Sequence, residues 1–353
     1  MRRNRRLAVI AGLTATAITA AAAAVVLTAP LASADVTGTP FVTTANSSDP
    51  HVINCTDPST GTNGFCLYTS QDMGQQYAYT PANYYPMRDT LVYFSPTGYD
   101  QWTAKGVAFS EWQLDAWVPR RTCPTPAPGE SADSCRPYHL WAPSATRVGN
   151  DYYLYVPDVS NINNDGTPNI HTSSRIAVAK SIGSPFGLFI YQGTVDFSSG
   201  YMSDPDIVVD GSNRYLVWAD GDKDTCGGFK SAKLNSDMQT ITPGTTQTLT
   251  ITGVEVLGEC TPAGSSTDVN RPYMEGASLY KRSFTPGKPW TLFFAVKPDD
   301  SDIDGNRDGK ADVPTECNST NTPPGSANTH NEAIAWASAS NPQGPFTDEG
   351  IVM

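Results

Sequence analysis

The sequence predicts an all-β fold of the β-propeller type, with about four blades in the chain. Gly and Pro, 29 and 28 of 353 residues, separate short aromatic and β-branched runs, which is typical of many strands joined by turns. A strand-and-turn unit also recurs: RIAVAKSIGSPFGLF at 175–189 matches AIAWASASNPQGPF at 333–346, and looser copies lie at 91–102 and 228–238. This spacing suits separate small sheets better than a sandwich of evenly spaced strands.

The N-terminal residues 1–34 are predicted to be a cleaved export signal. Four arginines precede an unbroken apolar and small stretch from Leu7 to Leu27, and Ala32-Ser33-Ala34 has the form of a cleavage site. An uncleaved membrane anchor is the alternative, because about 20 residues can span a bilayer. Cleavage predicts a secreted domain of residues 35–353 without stable membrane association. Since the net charge is −12, we expect a neutral partner and no nucleic acid.

Seven cysteines in an oxidising compartment favour disulfides. Three local pairs are suggested: Cys55 and Cys66 flank a turn, Cys123 and Cys135 flank a loop, and Cys226 and Cys260 bracket the span between two strand-rich segments. Cys317 is left over, and its partner could lie beyond Met353.

Each copy of the recurring unit is preceded by an apolar run, which we interpret as the inner strand of a blade. These runs are Phe65–Tyr68, Asp151–Val156, Arg214–Trp218 and Trp290–Val296. Two long insertions interrupt the pattern, one in blade two near 113–138 and one in blade four near 298–329.

Three acids open blades: Asp49 in SSDPHVI, Asp204 in MSDPDIVV and Glu275 in RPYMEGASL. A single Asp-Pro before a strand is usually a turn. In a propeller, however, innermost strands line a central channel, so residues at their starts can converge although they are far apart in sequence. Neighbouring carboxyls do not all ionise alike, which allows one to act as a protonated acid and another as a charged base.

With these motifs the chain resembles glycoside hydrolase family 43, over about residues 40–353. The resemblance rests on Asp49-Pro50, Trp141-Ala142-Pro143 before YYLYV, Asp204-Pro205 before DGSNRYLVW, Glu275-Gly276, and IAWASASNPQGPF. It implies a five-bladed propeller and an inverting glycosidase that acts on arabinose- or xylose-containing plant polysaccharides or oligosaccharides. It also implies that Asp49 is the general base, Glu275 is the general acid, and Asp204 orients Glu275 and raises its pKa.

The chain departs from the family in its number of blades. Only four can be counted before Met353, and the channel-facing His of the family's fifth blade has no counterpart, His330 included. We therefore expect a propeller that lacks the last blade, through truncation or an unfamiliar closure.

The blade-four insertion contains a calcium-loop pattern, D-x-N-x-D-G-x-x-D, which places oxygen ligands at alternate positions. A solvated acidic turn is the alternative. The predicted ligands of a structural calcium ion are Asp304, Asn306, Asp308, Lys310 through its carbonyl, and Asp312. No organic cofactor is expected.

Four residues beside these motifs are predicted to bind the sugar. Trp141 and Tyr273 can stack on a sugar face, while His51 and Arg271 can donate hydrogen bonds. The prediction is thus a secreted inverting glycosidase. The alternatives are a non-catalytic carbohydrate-binding propeller, an inactive truncated hydrolase, and a calcium-stabilised adhesion module.

Overall fold

The computed structural model describes residues 47–72, 87–115, 140–158, 174–195, 202–220, 228–253, 274–296 and 333–352. These residues form four sheets, which are the blades of a β-propeller. The prediction of an all-β propeller is confirmed, since α1 (Glu111–Asp115) is the one α-helix in these ranges. A search of the same ranges finds no helix with the length and apolar character needed to cross a bilayer.

Blades one and two are four-stranded antiparallel meanders. Blade one consists of β1 (Ser47–Thr56), β2 (Asn63–Asp72), β3 (Met87–Ser95) and β4 (Thr103–Ser110). Blade two consists of β5 (Ser144–Val148), β6 (Asp151–Asp158), β7 (Arg175–Ile182) and β8 (Ile190–Thr194). A disulfide between Cys55 and Cys66 joins β1 to β2, which confirms the first predicted pair. The other five cysteines lie outside the described residues.

Blades three and four repeat this plan. Blade three consists of β9 (Ser203–Asp210), β10 (Asn213–Ala219), β11 (Phe229–Lys233) and β12 (Gln247–Thr248). After the short β13 (Ile251–Thr252), blade four consists of β14 (Met274–Tyr280), β15 (Trp290–Val296), β16 (Ala333–Ala339) and β17 (Phe346–Ile351). β13 pairs parallel with β17, so the segment that follows blade three is attached to the outer edge of blade four.

The recurring sequence unit is the third strand of each blade together with the turn after it. The apolar runs that sequence analysis interprets as inner strands are instead the second strands, β2, β6, β10 and β15. The innermost strands are the first ones, β1, β5, β9 and β14, which pack against one another between blades. Continuous apolar runs mark the second strands because neighbouring blades bury both of their faces.

Apolar side chains fill the three interfaces between successive blades. Tyr68 of blade one packs edge to face on Phe189 of blade two, with ring centroids 6.0 Å apart, and Phe229 packs on Phe294 between blades three and four at 5.8 Å. Leu216 is fully buried between blades two and three. Burying a side chain of this size stabilises a fold by about 1.5–3 kcal/mol, so the contacts between blades hold the propeller together.

Two buried tyrosines connect successive blades through the turns of the recurring unit. The Tyr68 hydroxyl donates to the carbonyl of Pro185 in the turn after β7, at 2.8 Å. The Tyr155 hydroxyl donates to the carbonyl of Met238 in the turn after β11, at 2.6 Å. Burial raises the pKa of both hydroxyls well above its ordinary value. In blades two and three the turn therefore has a structural role, because it accepts a hydrogen bond from the preceding blade.

Candidate active site

The three predicted catalytic acids lie near the start of the innermost strand in three different blades, Asp49 and Asp204 at the same point and Glu275 one residue earlier. Asp49 is on β1, Asp204 is on β9 and Glu275 is on β14. Each strand has a bulge there, where two residues face a single residue of the second strand. The bulged pairs are Asp49-Pro50, Asp204-Pro205, and Gly276-Ala277 directly after Glu275.

Blade two has the same irregularity at Trp141-Ala142-Pro143. Leu140 pairs with Asp158 and Ser144 pairs with Tyr155, so three residues of one strand face two of the other. Trp141 consequently occupies the position in blade two that Glu275 occupies in blade four. The side chain of Trp141 is half-buried.

The backbone at these bulges is left-handed. The angle φ is 51° at Asp49, 46° at Asp204 and 63° at Gly276. A left-handed conformation is uncommon for a residue with a side chain and costs about 1–3 kcal/mol, and such residues cluster at active sites. The strain at Asp49 and Asp204 therefore indicates a functional site independently of the sequence motifs.

Asp204 and Asp49 are close enough to affect each other's ionisation. Burial and the charge of Asp49 raise the pKa of Asp204 to about 6, while hydrogen bonds from Gly276 N and Ser203 Oγ oppose that rise. The Gly276 nitrogen lies 3.1 Å from Asp204 Oδ2. Two carboxyls that interact in this way titrate as a pair. The pair therefore retains a proton at a pH where an isolated aspartate has lost it, which is typical of acid–base sites.

Asp49 has a buried donor on the neighbouring strand. Ser70 on β2 has no exposed surface, and its Oγ donates to Asp49 Oδ2 at 3.1 Å. A hydrogen bond to a carboxylate stabilises the charged form. Glu275, by contrast, is partly exposed on β14, next to the residue whose nitrogen bonds Asp204. The site thus combines a supported carboxylate, a carboxyl with a raised pKa, and an accessible third acid.

His51, a predicted substrate donor, lies two residues after Asp49 with both ring nitrogens near protein groups. Its Nε2 is 3.0 Å from the carbonyl oxygen of Ala145, and because a carbonyl only accepts, this nitrogen carries the proton. Its Nδ1 is 3.8 Å from Asp206 Oδ1, and 16% of the side chain is exposed. A hydrogen bond from His51 to substrate stays a prediction.

The remaining predicted site residues lie outside the described residues. They are Arg271, Tyr273 and the predicted calcium ligands Asp304, Asn306, Asp308, Lys310 and Asp312. Within the ranges that the structure does describe, no cluster of three or more His, Cys, Asp or Glu could hold a metal ion.

Two further residues of this region, Asp206 and Ser70, are not among those predicted from sequence. Asp206 is 4% exposed and accepts hydrogen bonds from three other residues. The signal that could have found it is a charged residue within the apolar strand that Asp204 opens. Ser70 carried no comparable signal, because its role depends on the register of β1 against β2.

A sequence comparison connects this geometry to a known family. The sequence model described as "Glycosyl hydrolases family 43" matches residues 68–285. That range contains two of the three acids and three of the four bulges. No curated protein matches the chain in sequence.

Solved structures of family 43 enzymes have a similar fold. A β-xylosidase/α-arabinofuranosidase from a compost microbial metagenome, in complex with xylotriose and calcium-free, aligns with TM-score 0.53 and 19% identity over 89% of this chain and 80% of its own. An endo-arabinase from Bacteroides thetaiotaomicron aligns with TM-score 0.53 and 16% identity over 89% and 83%. A Xanthomonas citri enzyme complexed with xylose has TM-score 0.50 and 17% identity over 89% and 76%. At these identities the likeness concerns the fold.

Proposed function

The chain belongs to the glycosyl hydrolases of family 43, and from this premise we propose a secreted, inverting enzyme that cleaves arabinose- or xylose-containing plant polysaccharides or oligosaccharides. In this proposal Asp49 is the general base, Glu275 is the general acid, and Asp204 modulates Glu275. The observation that carries it is the placement of Asp49 and Asp204 in, and of Glu275 directly before, the equivalent bulge of three blades, with Asp49 and Asp204 affecting each other's ionisation.

The proposed reaction is a single displacement. The Asp49 carboxylate takes a proton from a water molecule, whose oxygen attacks the anomeric carbon from the face opposite the leaving group. Glu275 donates its proton to the glycosidic oxygen as the bond to the anomeric carbon breaks. Asp49 gains one proton and Glu275 loses one. Before the next turnover, exchange with solvent must therefore remove the proton from Asp49 and return one to Glu275. The anomeric configuration of the product is inverted.

Asp204 acts on Glu275 through charge and position. Its carboxylate bonds the nitrogen of Gly276, the residue after Glu275, and thereby holds this part of β14 against β9. A negative charge near Glu275 disfavours a second one, so it keeps the acid protonated at a pH where cleavage occurs. The raised pKa of Asp204 itself, about 6, makes this effect dependent on pH.

Two features support a neutral pentose substrate. The chain carries a net charge of −12, which repels polyanions. Two of the similar structures were solved with xylotriose or xylose. Trp141 is proposed to stack on a sugar face, because it holds in blade two the position of the acid in blade four. The proposal keeps His51, Arg271 and Tyr273 as its polar and aromatic substrate contacts.

The test is hydrolysis of the p-nitrophenyl glycosides of α-L-arabinofuranose and β-D-xylose, and of linear arabinan and xylan. The Glu275→Gln variant should lose most activity on the polysaccharides, whose leaving groups need protonation, and less on the aryl glycosides, whose leaving groups need little. Glu349→Gln is the matched control, because Glu349 lies on the outermost strand of blade four and pairs with Lys288. Proton NMR of the first product should show the inverted anomer.

The proposal fails if folded wild-type protein cleaves none of these substrates. It also fails in its acid assignment if Glu275→Gln and Glu349→Gln are equally active on xylan and arabinan. A product with retained configuration would exclude the inverting mechanism while leaving the hydrolase in place.

Secretion and calcium belong to the same proposal. Protein recovered from culture medium should begin at Asp35, and protein that keeps residues 1–34 in the cell would contradict cleavage. The five calcium ligands Asp304, Asn306, Asp308, Lys310 and Asp312 supply oxygen atoms only, which is the donor set that calcium prefers. EDTA should therefore lower the thermal midpoint of the wild type but not that of an Asp308→Ala variant.

A further inference from the structure

One residue of the first strand occupies the same structural position in all four blades. It lies two positions after the bulged Asp, or after the residue that stands in place of that Asp. It is His51 in β1, Ser144 in β5, Asp206 in β9 and Ser278 in β14, because each resumes the regular pairing with the second strand. Two of these side chains, His51 and Ser144, lie next to the carboxylate of a third. That carboxylate belongs to Asp206 and is 4% exposed.

The carboxylate of Asp206 accepts hydrogen bonds from residues of three blades. Ser144 Oγ of blade two and the nitrogen of Ile207 in its own strand lie 3.2 and 2.9 Å from Oδ1. The nitrogen of Leu279 in blade four lies 2.6 Å from Oδ2. His51 Nδ1 of blade one stands 3.8 Å from Oδ1, and its opposite nitrogen bonds Ala145 of blade two. One buried side chain thus contacts the innermost strand of every other described blade.

The chain has two carboxylates in one rigid segment that hold β14. In Asp204-Pro205-Asp206 the first carboxylate bonds the nitrogen of Gly276 and the second bonds that of Leu279. Glu275 directly precedes the first of these anchor points. A strand held at two points three residues apart can neither slide nor rotate freely against β9, so the carboxylate of Glu275 has a defined location relative to Asp204.

We infer that Asp206 is a positioning residue that holds the innermost strands of blades two and four against β9, with His51 of blade one in contact beside it, and so fixes the relative positions of the three catalytic acids. The inference rests on the function proposed above. Asp206 itself touches no reacting atom in this scheme. Its own hydrogen bond is to Leu279 N, and this bond keeps β14 in the place where Gly276 N bonds Asp204. An error of about 1 Å in the position of a catalytic group can reduce a rate about 100-fold.

Asp206→Asn is the informative variant, because it keeps the volume but leaves one oxygen to accept where the carboxylate has two. Its amide nitrogen must then face a donor, either Leu279 N or the Ile207–Ser144 pair. Asp57→Asn is the matched control. Asp57 is also buried and accepts from Ser59 and Lys105, but it lies in the turn at the far end of β1.

Three measurements on the full chain separate positioning from general stability. Thermal unfolding reports folding, kcat and KM on xylan and arabinan report catalysis, and carbon-13 NMR titration of labelled aspartates reports Asp204 without any substrate. We expect Asp206→Asn to remain folded, to lose about 100-fold in kcat with KM within about threefold, and to change the pH at which Asp204 titrates, because Gly276 N moves relative to the Asp204 carboxylate. Asp57→Asn should lose stability only.

The inference is overturned if folded Asp206→Asn keeps kcat within about twofold of wild type and the Asp204 titration is unchanged. If wild-type protein hydrolyses nothing, the proposed function fails, and the NMR titration alone decides the positioning role by the same criterion. If Asp206→Asn does not fold, Ser144→Ala removes a single donor from the same carboxylate. It should then reduce kcat about two- to tenfold and move the Asp204 titration, and no change in either would overturn the inference.

Discussion

The backbone nitrogen of Gly276 donates a hydrogen bond of 3.1 Å to Asp204 Oδ2 and thereby joins blade four to blade three beside two of the acids. Glu275 precedes Gly276, so a change in the charge of Asp204 alters a hydrogen bond of the strand that carries the proposed general acid. Asp49 on blade one adds its charge to the same carboxyl. Ionisation at this point therefore depends on three separate blades being correctly assembled.

The first prediction concerns the pH dependence of catalysis. Because Asp204 must be charged to keep Glu275 protonated, kcat/KM should rise with pH through the Asp204 pKa of about 6 and fall again when Glu275 loses its proton. In Asp204→Asn the rise should move well below pH 6, because only the proposed base Asp49 must then be charged, and the fall should also move to lower pH. Asp210→Asn, a change on the same strand at an exposed pair with Lys281, should keep the wild-type profile. A wild-type profile that is flat through pH 6 would contradict the assignment.

The second prediction concerns stability, measured as the free energy of unfolding at several pH values. The pKa of Asp204 is about 6 in the folded protein against an ordinary value of 3.8. The folded state therefore binds the proton more tightly, and this contribution is present below about pH 4 and lost as pH rises through about 6. A shift of about two units corresponds to no more than about 3 kcal/mol.

Asp204→Asn should consequently gain stability relative to wild type between about pH 4 and about pH 8, by up to about 3 kcal/mol. The altered hydrogen bonds change the free energy of unfolding by the same amount at both pH values. Their effect therefore cancels when the difference between variant and wild type at one pH is subtracted from that at the other. Urea unfolding provides the free energies, with Asp210→Asn again as the control. Equal differences from wild type at both pH values would show that the buried charge carries no penalty.

The candidate catalytic acids were accessible from sequence because each combines a local signal with a repeated context. Asp-Pro before an apolar run predicts a strand start, and its recurrence at Asp49 and Asp204 indicates equivalent points of two blades. The bulge and the left-handed backbone at both positions follow from the same two residues. Glu275 was found by its place in the series of blades rather than by a matching dipeptide.

The contacts of Asp206 were not accessible in this way. They depend on how first strands from different blades pack against one another, and Ser144 and Leu279 are far from Asp206 in sequence. The order of strands within a blade was also predicted wrongly. A continuous run of apolar residues indicates a strand that is buried on both faces. In a propeller the second strand of a blade is buried in this way more fully than the first strand, which lies beside the channel.

The third prediction tests the contact between blades two and three. Tyr155→Phe keeps the packed ring but removes the donor to the Met238 carbonyl, which is part of a turn with φ of 63° at Met238. A buried carbonyl left without its donor costs about 1–3 kcal/mol, and urea unfolding should show a loss of that size. Tyr99→Phe is the control, because this tyrosine is 81% exposed. Equal stability of the two variants would mean that the hydrogen bond contributes nothing net.

The last prediction concerns the support of the proposed base. Ser70→Ala removes the buried Oγ that donates to Asp49 Oδ2. A hydrogen bond to a charged group is worth about 1.5–3 kcal/mol, so the charged form of Asp49 should become harder to maintain. The acidic limb of the pH–rate profile, on which Asp49 and Asp204 titrate as a pair, should therefore move to higher pH, with a larger loss of kcat at pH 5 than at pH 8.

Thr69→Val is the matched control for this change. Thr69 is the preceding residue on β2, it is 3% exposed, and within the described part of the chain its hydroxyl has no hydrogen-bond partner. The valine side chain has nearly the same shape, so the profile should stay at its wild-type position. If Ser70→Ala and Thr69→Val shift the acidic limb equally, the effect comes from packing on β2, and Asp49 does not depend on the serine hydroxyl. If only Ser70→Ala moves it, the carboxyl that Ser70 touches, Asp49, contributes to that limb together with Asp204, as expected for a pair that titrates jointly.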